Sequence, residues 1–373
     1  MPTQDDQGRE GAIAMTGGGG FLGWHTRAAI HASGKKSTPV AVGAQFDVDT
    51  AVATLDGAAR LIHIAGVNRA SDDEVRDGNV TFASQMAEAL ERAENPPPVV
   101  VFANSTQAGN GSAYGSSKEA AADILGAVAG DLGLKFLDVK LPNLFGEHGR
   151  PFYNAVTSTF CHILAEGGRP EVVDDKELAL LHAQNAADLL TGEVSTSHQS
   201  SLEENILVSE LLGHLTRFSE AYSSGSIPDV SEPFQRDLFN TYRSYAFSVR
   251  PAIALTKNSD PRGSFFEIIR CRGGESQSSF STTAPGISRG DHYHRRKIER
   301  FTVLAGEATI AVRKIFTDEV QEFRVTGDLP MSIDMPTLWP HKITNTGDDT
   351  LFTSFWANEL YDDAQPDTVK ELV

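Results

Sequence analysis

Cysteine is nearly absent. The 373-residue chain holds two, Cys161 and Cys271, far apart in sequence. That excludes a disulfide framework and fits a reducing cytoplasm, with both thiols read as small apolar residues. Basic side chains are also scarce: 32 Lys and Arg stand against 50 Asp and Glu, a formal net charge of -18. Such a surface repels phosphate backbones and argues against nucleic acid as a partner, although local cations and backbone amides can still hold a nucleotide. Long hydrophobic runs are missing as well; no apolar stretch approaches the roughly 20 residues a spanning helix needs, so no membrane association is expected. Residues 1–10 are polar and acidic, unlike a secretory signal, and read as a short disordered leader. What remains is a cytoplasmic globular protein long enough for two domains.

The first half alternates short apolar runs with helical stretches. Residues 11–15, 61–65, 99–103 and 135–141 read as strands, and residues 21–33, 79–92 and 113–132 as helices. The run at 99–103 is apolar throughout, as in strands buried on both faces of a parallel sheet. This alternation predicts an α/β fold, a Rossmann-type doubly wound sheet with right-handed crossovers. Ser-rich stretches at 195–201 and 219–226 flank a helical piece at 209–218 and read as a peripheral, substrate-side region. Another helical piece at 233–245 leads into a half that is β only. There, strand candidates at 264–270, 276–282, 300–304, 307–315, 331–335 and 350–357 predict an all-β jelly roll or barrel. The expected domains are residues 11–246 and 247–373.

Gly17, Gly20 and Gly23 follow the first strand and open the first helix, with Phe21 and Leu22 between them. This spacing lets a backbone approach a pyrophosphate and offers it the free amides of a helix N-terminus. Residues 47–49 and 61–66 are similar to the third and fourth strands of extended short-chain dehydrogenases. That likeness implies an acidic residue, Asp47, near the adenine and an Ala65-Gly66 turn along the nicotinamide ribose; by itself Asp47 is an ordinary turn residue. Tyr114 and Lys118 form YxxxK on a helix, four residues apart and so on one face. Lys118 can hold its ammonium near the cofactor ribose and lower the pKa of Tyr114, which then donates a proton to a carbonyl oxygen as hydride arrives. Ser105 can hydrogen-bond the same oxygen, with Thr106 as substitute or helper. No Lys or Arg lies in residues 40–47, where a cation often reads the 2′-phosphate of NADPH. Arg27 or Arg69 can take that role, so NADP(H) is expected and NAD(H) stays open. The stretch between the first helix and Asp47 is short, so one sheet strand is expected to be missing or merged.

His292 and His294, two apart on a strand, point to one face. Glu299 lies on the next stretch and His341 on a later one, so four strands of a barrel can aim these side chains into one cavity. Three imidazoles and a carboxylate suit a divalent transition metal such as zinc, iron, manganese or nickel, with zinc foremost.

These motifs, taken in order, resemble the CapF-type bifunctional capsule-sugar enzymes, in which an extended short-chain dehydrogenase domain is fused to a C-terminal cupin. The likeness is carried by the glycine loop, by HIAGVNR at 63–69, Gly78-Asn79, YGSSK at 114–118, LPNLFG at 141–146, YNAVTSTFCH at 153–162 and DLFNTYRSY at 237–245. It continues through DPRGSF at 260–265, GDHYH at 290–294, the His341 segment and WANELYDDAQPDT at 356–368. The resemblance implies a UDP-linked 4-keto-6-deoxy-N-acetylhexosamine as substrate. The cupin epimerises C3, the dehydrogenase domain reduces C4 with NADPH, and the product is a 6-deoxy-talosamine-type nucleotide sugar. It assigns catalysis to Ser105, Tyr114 and Lys118, metal binding to His292, His294, Glu299 and His341, and substrate contacts to Asn143 and Asn154. Cupins often pair, so a homodimer is expected. Two other readings stand beside this one: a 4-ketosugar reductase whose cupin serves only dimerisation, and a non-catalytic nucleotide-binding scaffold.

Overall fold

In the first half, strands whose two faces are both apolar can only be covered from both sides. Within Val99–Ser105, Val100 and Phe102 face one apolar cluster, and Val101 and Ala103 face another. A computed structural model, which describes residues 11–373, shows the result; the leader expected at 1–10 lies outside the described residues. Five parallel strands form one sheet in the spatial order Ser37–Pro39, Ile13–Thr16, Arg60–His63, Val99–Ser105, Lys135–Leu141. Helices Val48–Leu55, Asp72–Arg92 and Ala113–Asp131 send Leu55, Met86, Leu90 and Leu125 onto one face. Helices Phe21–Ala32 and Ala183–Thr191 send Ile30, Leu189 and Leu190 onto the other. This is the doubly wound, Rossmann-type arrangement.

Two expectations need correcting. No strand forms at residues 47–49; Val48 opens a helix and Asp47 is its N-cap, its carboxylate accepting from the Thr50 amide at 2.8 Å. The abbreviated edge is thus a three-residue strand, 37–39, followed by helix rather than by a further strand. The helix expected from 79 begins at Asp72, because Ser71 and Glu74 form a reciprocal capping box.

The described residues divide into two compact units, one of residues 11–144 and Leu178–Asn205, the other of Phe145–Glu177 and Ile206–Val373. This differs from the single cut expected after 246. Helix Pro233–Val249 belongs with the β-rich unit: Phe247 enters its core and Arg243 donates to the Met335 carbonyl at 2.6 Å.

The β-rich unit holds two antiparallel five-stranded sheets. One runs Ala252–Ala254, Met331–Met335, Glu299–Ala305, Leu351–Ala357, Gln277–Thr283. The other runs Val320–Thr326, Glu307–Arg313, His341–Asn345, Ser288–Tyr293, Val369–Lys370. Phe301, Val303 and Ile333 from the first share one core with Ile310, Val312 and Ile343 from the second. Among the described residues these ten strands form two separate sheets, beside two short two-stranded pairs, and do not close into the ring expected of a barrel. Among the described residues no helix is long and apolar enough to cross a membrane.

Arg300 and Asp334 form an ion pair at 2.5 Å, with side chains 2% and 1% exposed. Arg300 also donates to the Gly225 carbonyl at 2.9 Å, fastening the first sheet to the turn after helix Val208–Ser223. Replacing Arg300 with Met strands a buried carboxylate, and we expect a loss of about 3–5 kcal/mol. Adding Asp334→Leu should recover most of it, because a buried pair exchanged for apolar residues is close to neutral. Urea unfolding of the single and double variants checks this; an equal loss in both would show that the pair is not the source.

Candidate active site and metal centre

The glycine loop is compact because two positions admit no side chain. Gly17 has φ +71°, and a Cβ there would lie 2.6 Å from the Ala65 nitrogen. At Gly23 a Cβ would lie 2.0 Å from the Gly17 carbonyl oxygen. Gly20 caps Phe21–Ala32 with no side-chain hydrogen bond, so the first amides of that helix face the loop. Phe21 and Leu22 occupy its first turn. Arg27 lies alongside, its Cδ 3.3 Å from the point a Gly18 Cβ would take.

The Ala65-Gly66 turn is tied to this loop by Thr16, whose hydroxyl accepts from the Ile64 and Ala65 amides, both at 3.1 Å. With its lone pairs occupied, that hydroxyl donates to His63 Nδ1, 2.9 Å away, which leaves the imidazole proton on Nε2. Burial, reinforced by the charge of Lys118, pushes the His63 pKa down to about 3, so the ring is neutral. Asn79 holds the far side of the turn. Its amide oxygen accepts from the Val67 nitrogen at 3.0 Å, and its amide nitrogen donates to the Val67 carbonyl at 2.8 Å and to Ser117 Oγ at 3.0 Å.

Ser117 sits on Ala113–Asp131, the helix carrying Tyr114 and Lys118. Ser112 caps it by accepting from the Gly115 amide at 2.9 Å. Gly115 is required by a close approach: a Cβ there would lie 2.2 Å from Asn110 Oδ1 and 2.3 Å from the Gln107 carbonyl oxygen. The 107–110 loop therefore packs directly on the helix. The Tyr114 phenol lies near the Ser105 side chain; burial raises its pKa and the proximity of Ser105 opposes the rise. Lys118, nearly fully buried, donates to the Ala103 carbonyl at 2.6 Å and lies 4.0 Å from the centre of the Phe102 ring. Burial pushes its pKa down to about 7, against the pull of Asp138. The expected lowering of Tyr114 by Lys118 is not what this geometry gives, because the ammonium is committed to a carbonyl and desolvation dominates at the phenol.

The structure thus gathers Ser105, Tyr114 and Lys118, and it folds Gly17, Gly20, Gly23, Ala65 and Gly66 together nearby. Thr106 is exposed, its amide bonded to the Leu141 carbonyl at 3.0 Å. Asn143 is exposed and donates to the Ala179 carbonyl at 3.2 Å. Asp47 stays with its own helix, and Asn154 lies in the other unit, ahead of helix Val156–Ala165. Thr16 escaped the motif reading, and His63, Asn79 and Gly115 fell inside quoted motifs without being given a role. A glycine inside a helix was the available signal for Gly115.

In the β-rich unit, strand Ser288–Tyr293 carries a bulge between Gly290 and His292, with Asp291 at φ +58°. A Cβ on Gly290 would lie 2.5 Å from the His341 carbonyl oxygen, so only glycine allows this approach. Past the bulge His292 stands directly opposite His341. Glu299 opens the next strand, and its Oε2 lies 3.1 Å from Nε2 of both His294 and His341 and 3.9 Å from Nε2 of His292. One donor atom from each of the four residues falls within 4.8 Å of every other. Three strands supply the set, not four, and His294 lies just beyond the end of its strand.

His294 Nδ1 lies 2.6 Å from the Asp367 carbonyl oxygen, and His341 Nδ1 lies 2.9 Å from that of Trp339. Both rings therefore turn Nε2 inward, the orientation a metal-binding imidazole needs. Burial would raise the Glu299 pKa, but the hydrogen bonds and charges of His294 and His341 hold it well below the carboxylate range. Burial, with the two neighbouring rings, pushes His292 down to about 4. His294 is raised: burial disfavours its charge, and Glu299 and the Asp367 carbonyl outweigh that. A carboxylate kept ionised among three nitrogen donors fits a divalent cation.

Fold and sites together define an α/β dinucleotide-type unit joined to a β-sandwich with a His3Glu cluster. The family model for the polysaccharide biosynthesis C-terminal domain matches residues 258–369. A UDP-2-acetamido-2,6-beta-L-arabino-hexul-4-ose reductase of Pseudomonas aeruginosa is 30% identical over 369 residues, spanning 95% of this chain and 97% of that one. The crystal structure of the capsular polysaccharide assembling protein CapF from Staphylococcus aureus is 30% identical, with a TM-score of 0.62 over 97% of this chain and all 100% of that one. A second crystal form of CapF from Staphylococcus aureus gives 28% identity and a TM-score of 0.54, covering 97% and 99%. The chain belongs to the CapF family.

Lys118 yields a pH-dependent prediction. Its folded pKa of about 7 lies below the unfolded value, so above that pH the unfolded chain binds more protons and stability rises with pH. Below it the whole penalty of burying the ammonium is present. Lys118→Met should therefore stabilise the protein by on the order of a few kcal/mol near neutral and acidic pH, with the gain shrinking toward about pH 10. Urea unfolding at about pH 6 and about pH 9 measures this; a gain that does not change with pH would contradict the assignment.

Proposed function

We propose that this chain is a bifunctional nucleotide-sugar enzyme that epimerises C3 and reduces C4 of a UDP-linked 4-keto-6-deoxy-N-acetylhexosamine. One observation carries the reading: Tyr114 and buried Lys118 one helical turn apart, the phenol near Ser105, in the same compact unit as the glycine loop. The relative named as a UDP-sugar reductase supports the reduction half of this reading. The cofactor is NADP(H), with Arg27 beside the loop as the cation for a 2′-phosphate, and the β-rich unit is a cupin whose four clustered residues hold zinc. When bound, the nicotinamide supplies hydride to C4 and the metal supplies positive charge close to a ketone oxygen.

The residues of the chain do the rest. Burial keeps the Tyr114 phenol protonated near neutral pH, so it serves as a general acid toward the C4 oxygen. Ser105 hydrogen-bonds the same oxygen. Lys118 and Asn79 fix the helix and the 65–67 turn that border the cofactor. In the cupin, His292, His294, Glu299 and His341 would hold the ion whose charge would polarise the C4 ketone. The C3 proton, α to that ketone, is thereby acidified.

The test is turnover of the candidate 4-keto UDP-sugar with NADPH in deuterated water, read by mass spectrometry. The native protein should give a reduced product carrying deuterium at C3. Tyr114→Phe should lose about 100-fold or more in reduction while keeping the exchange; full turnover would remove Tyr114 from catalysis. His341→Ala should lose the exchange. Reduction without deuterium would leave a plain 4-ketosugar reductase with a structural cupin. Nucleotide binding without reduction would leave a scaffold.

A further inference from the structure

The end of the chain wraps the His294 side of the metal-ligand cluster. Asp367 has φ +45°, and its carbonyl oxygen lies 2.6 Å from His294 Nδ1. Its carboxylate, 4% exposed, accepts from three successive amides: Arg295 at 3.0 Å, Arg296 at 2.9 Å and Lys297 at 2.8 Å. One residue therefore holds both the imidazole and the peptide run leading from it to Glu299. Neighbours reinforce the grip. Lys297 Nζ donates to the Pro366 carbonyl at 2.8 Å, and Arg296 pairs with Glu359 at 3.0 Å. Two residues further on, Val369 and Lys370 pair with Tyr293 and His292.

The two inward-turned imidazoles are held differently. His341 Nδ1 finds its acceptor two residues away, at Trp339, whereas His294 depends on a carbonyl 73 residues distant. That carbonyl points at the ring only while the backbone at 367 keeps its left-handed turn, and the carboxylate bonded to the 295–297 amides holds that turn in place. We infer that Asp367 is a positioning residue for the metal centre, setting the tautomer and ring direction of His294 from the far end of the chain. The inference rests on the metal reading of His292, His294, Glu299 and His341 given above.

Asp367→Asn leaves the backbone carbonyl in place but replaces one accepting oxygen with a donor that faces amide hydrogens. In the full-length zinc-loaded protein, zinc release to a chromogenic chelator should be about 10–100-fold faster, the size of effect that outer-shell partners have on metal sites. Long-range 1H–15N spectra should show the His294 imidazole departing from the Nδ1–H form, a change that general loosening of the fold would not single out. Lys297→Met, which cuts the contact to Pro366 and spares the carboxylate, should shift release the same way by a few-fold, and it decides the matter if Asp367→Asn does not fold. Native release rates with an unchanged His294 signal would overturn the role of Asp367 and leave the metal reading standing. Failure of the unaltered chain to bind one zinc would overturn both.

Discussion

A carboxylate buried as Glu299 is must be met by hydrogen-bond donors or by positive charge, and the chain meets it with imidazoles. An ionised group withdrawn from water costs several kcal/mol even after relaxation. Histidine can answer with a proton or, once deprotonated, with a nitrogen that shares a cation. The geometry is compatible with the second answer. Two of the three rings spend Nδ1 on backbone carbonyls, which leaves Nε2 pointing at the carboxylate oxygen and at one another. Four donors crowded this closely repel unless a positive centre or shared protons lie among them, so the arrangement is costly as protein and favourable as a metal site.

The α/β unit works under the same constraint with the sign reversed. Lys118 is a cation held out of water, answered by the Ala103 carbonyl and the face of Phe102. Neither is a full counter-charge, and its pKa accordingly falls to about 7. His63 lies stacked on the other partner of that lysine, Phe102, and a second charge there would add repulsion. Thr16 prevents it by donating to Nδ1, so the ring bonds well while neutral. Stability is given up at Lys118, and a lysine poised to change charge near neutral pH is obtained beside a phenol that keeps its proton. Sites that depart from the stability optimum in this way are where catalysis is sought.

Much of this was legible in the residues. The continuous apolar run at 99–103 announced a strand covered on both faces, and YxxxK announced one helix face, because both depend on period alone. What escaped depended on partners distant in sequence or on a local competitor. Asp47 resembled a strand residue, but a short acidic side chain three residues ahead of a free amide caps a helix. Ser71 and Glu74 carried a readable capping box that moved a helix start by seven residues from 79 to 72. Helix Pro233–Val249 reads as amphipathic in isolation; that its Arg243 and Phe247 engage the β-sheets is a fact about the strand at 331–335, which no local pattern contains. The second sheet was the least visible, since Ser288–Tyr293 is short, polar and bulged.

The histidine pair shows how a correct spacing can be right for a different reason. In a regular strand, residues 292 and 294 share a face through the pleat alone. Here the strand stops at Tyr293, and a left-handed Asp291 has already displaced the register by one residue. His292 reaches the cluster because the bulge sets it opposite His341, which Gly290 permits by carrying no Cβ. His294 reaches it from beyond the strand, turned inward by the Asp367 carbonyl. Two separate devices thus reproduce what the pleat would have done. Both are tolerant of where the strand ends, but neither survives loss of its own anchor, so the positions that matter most to the cluster include a glycine and an aspartate outside the four clustered residues.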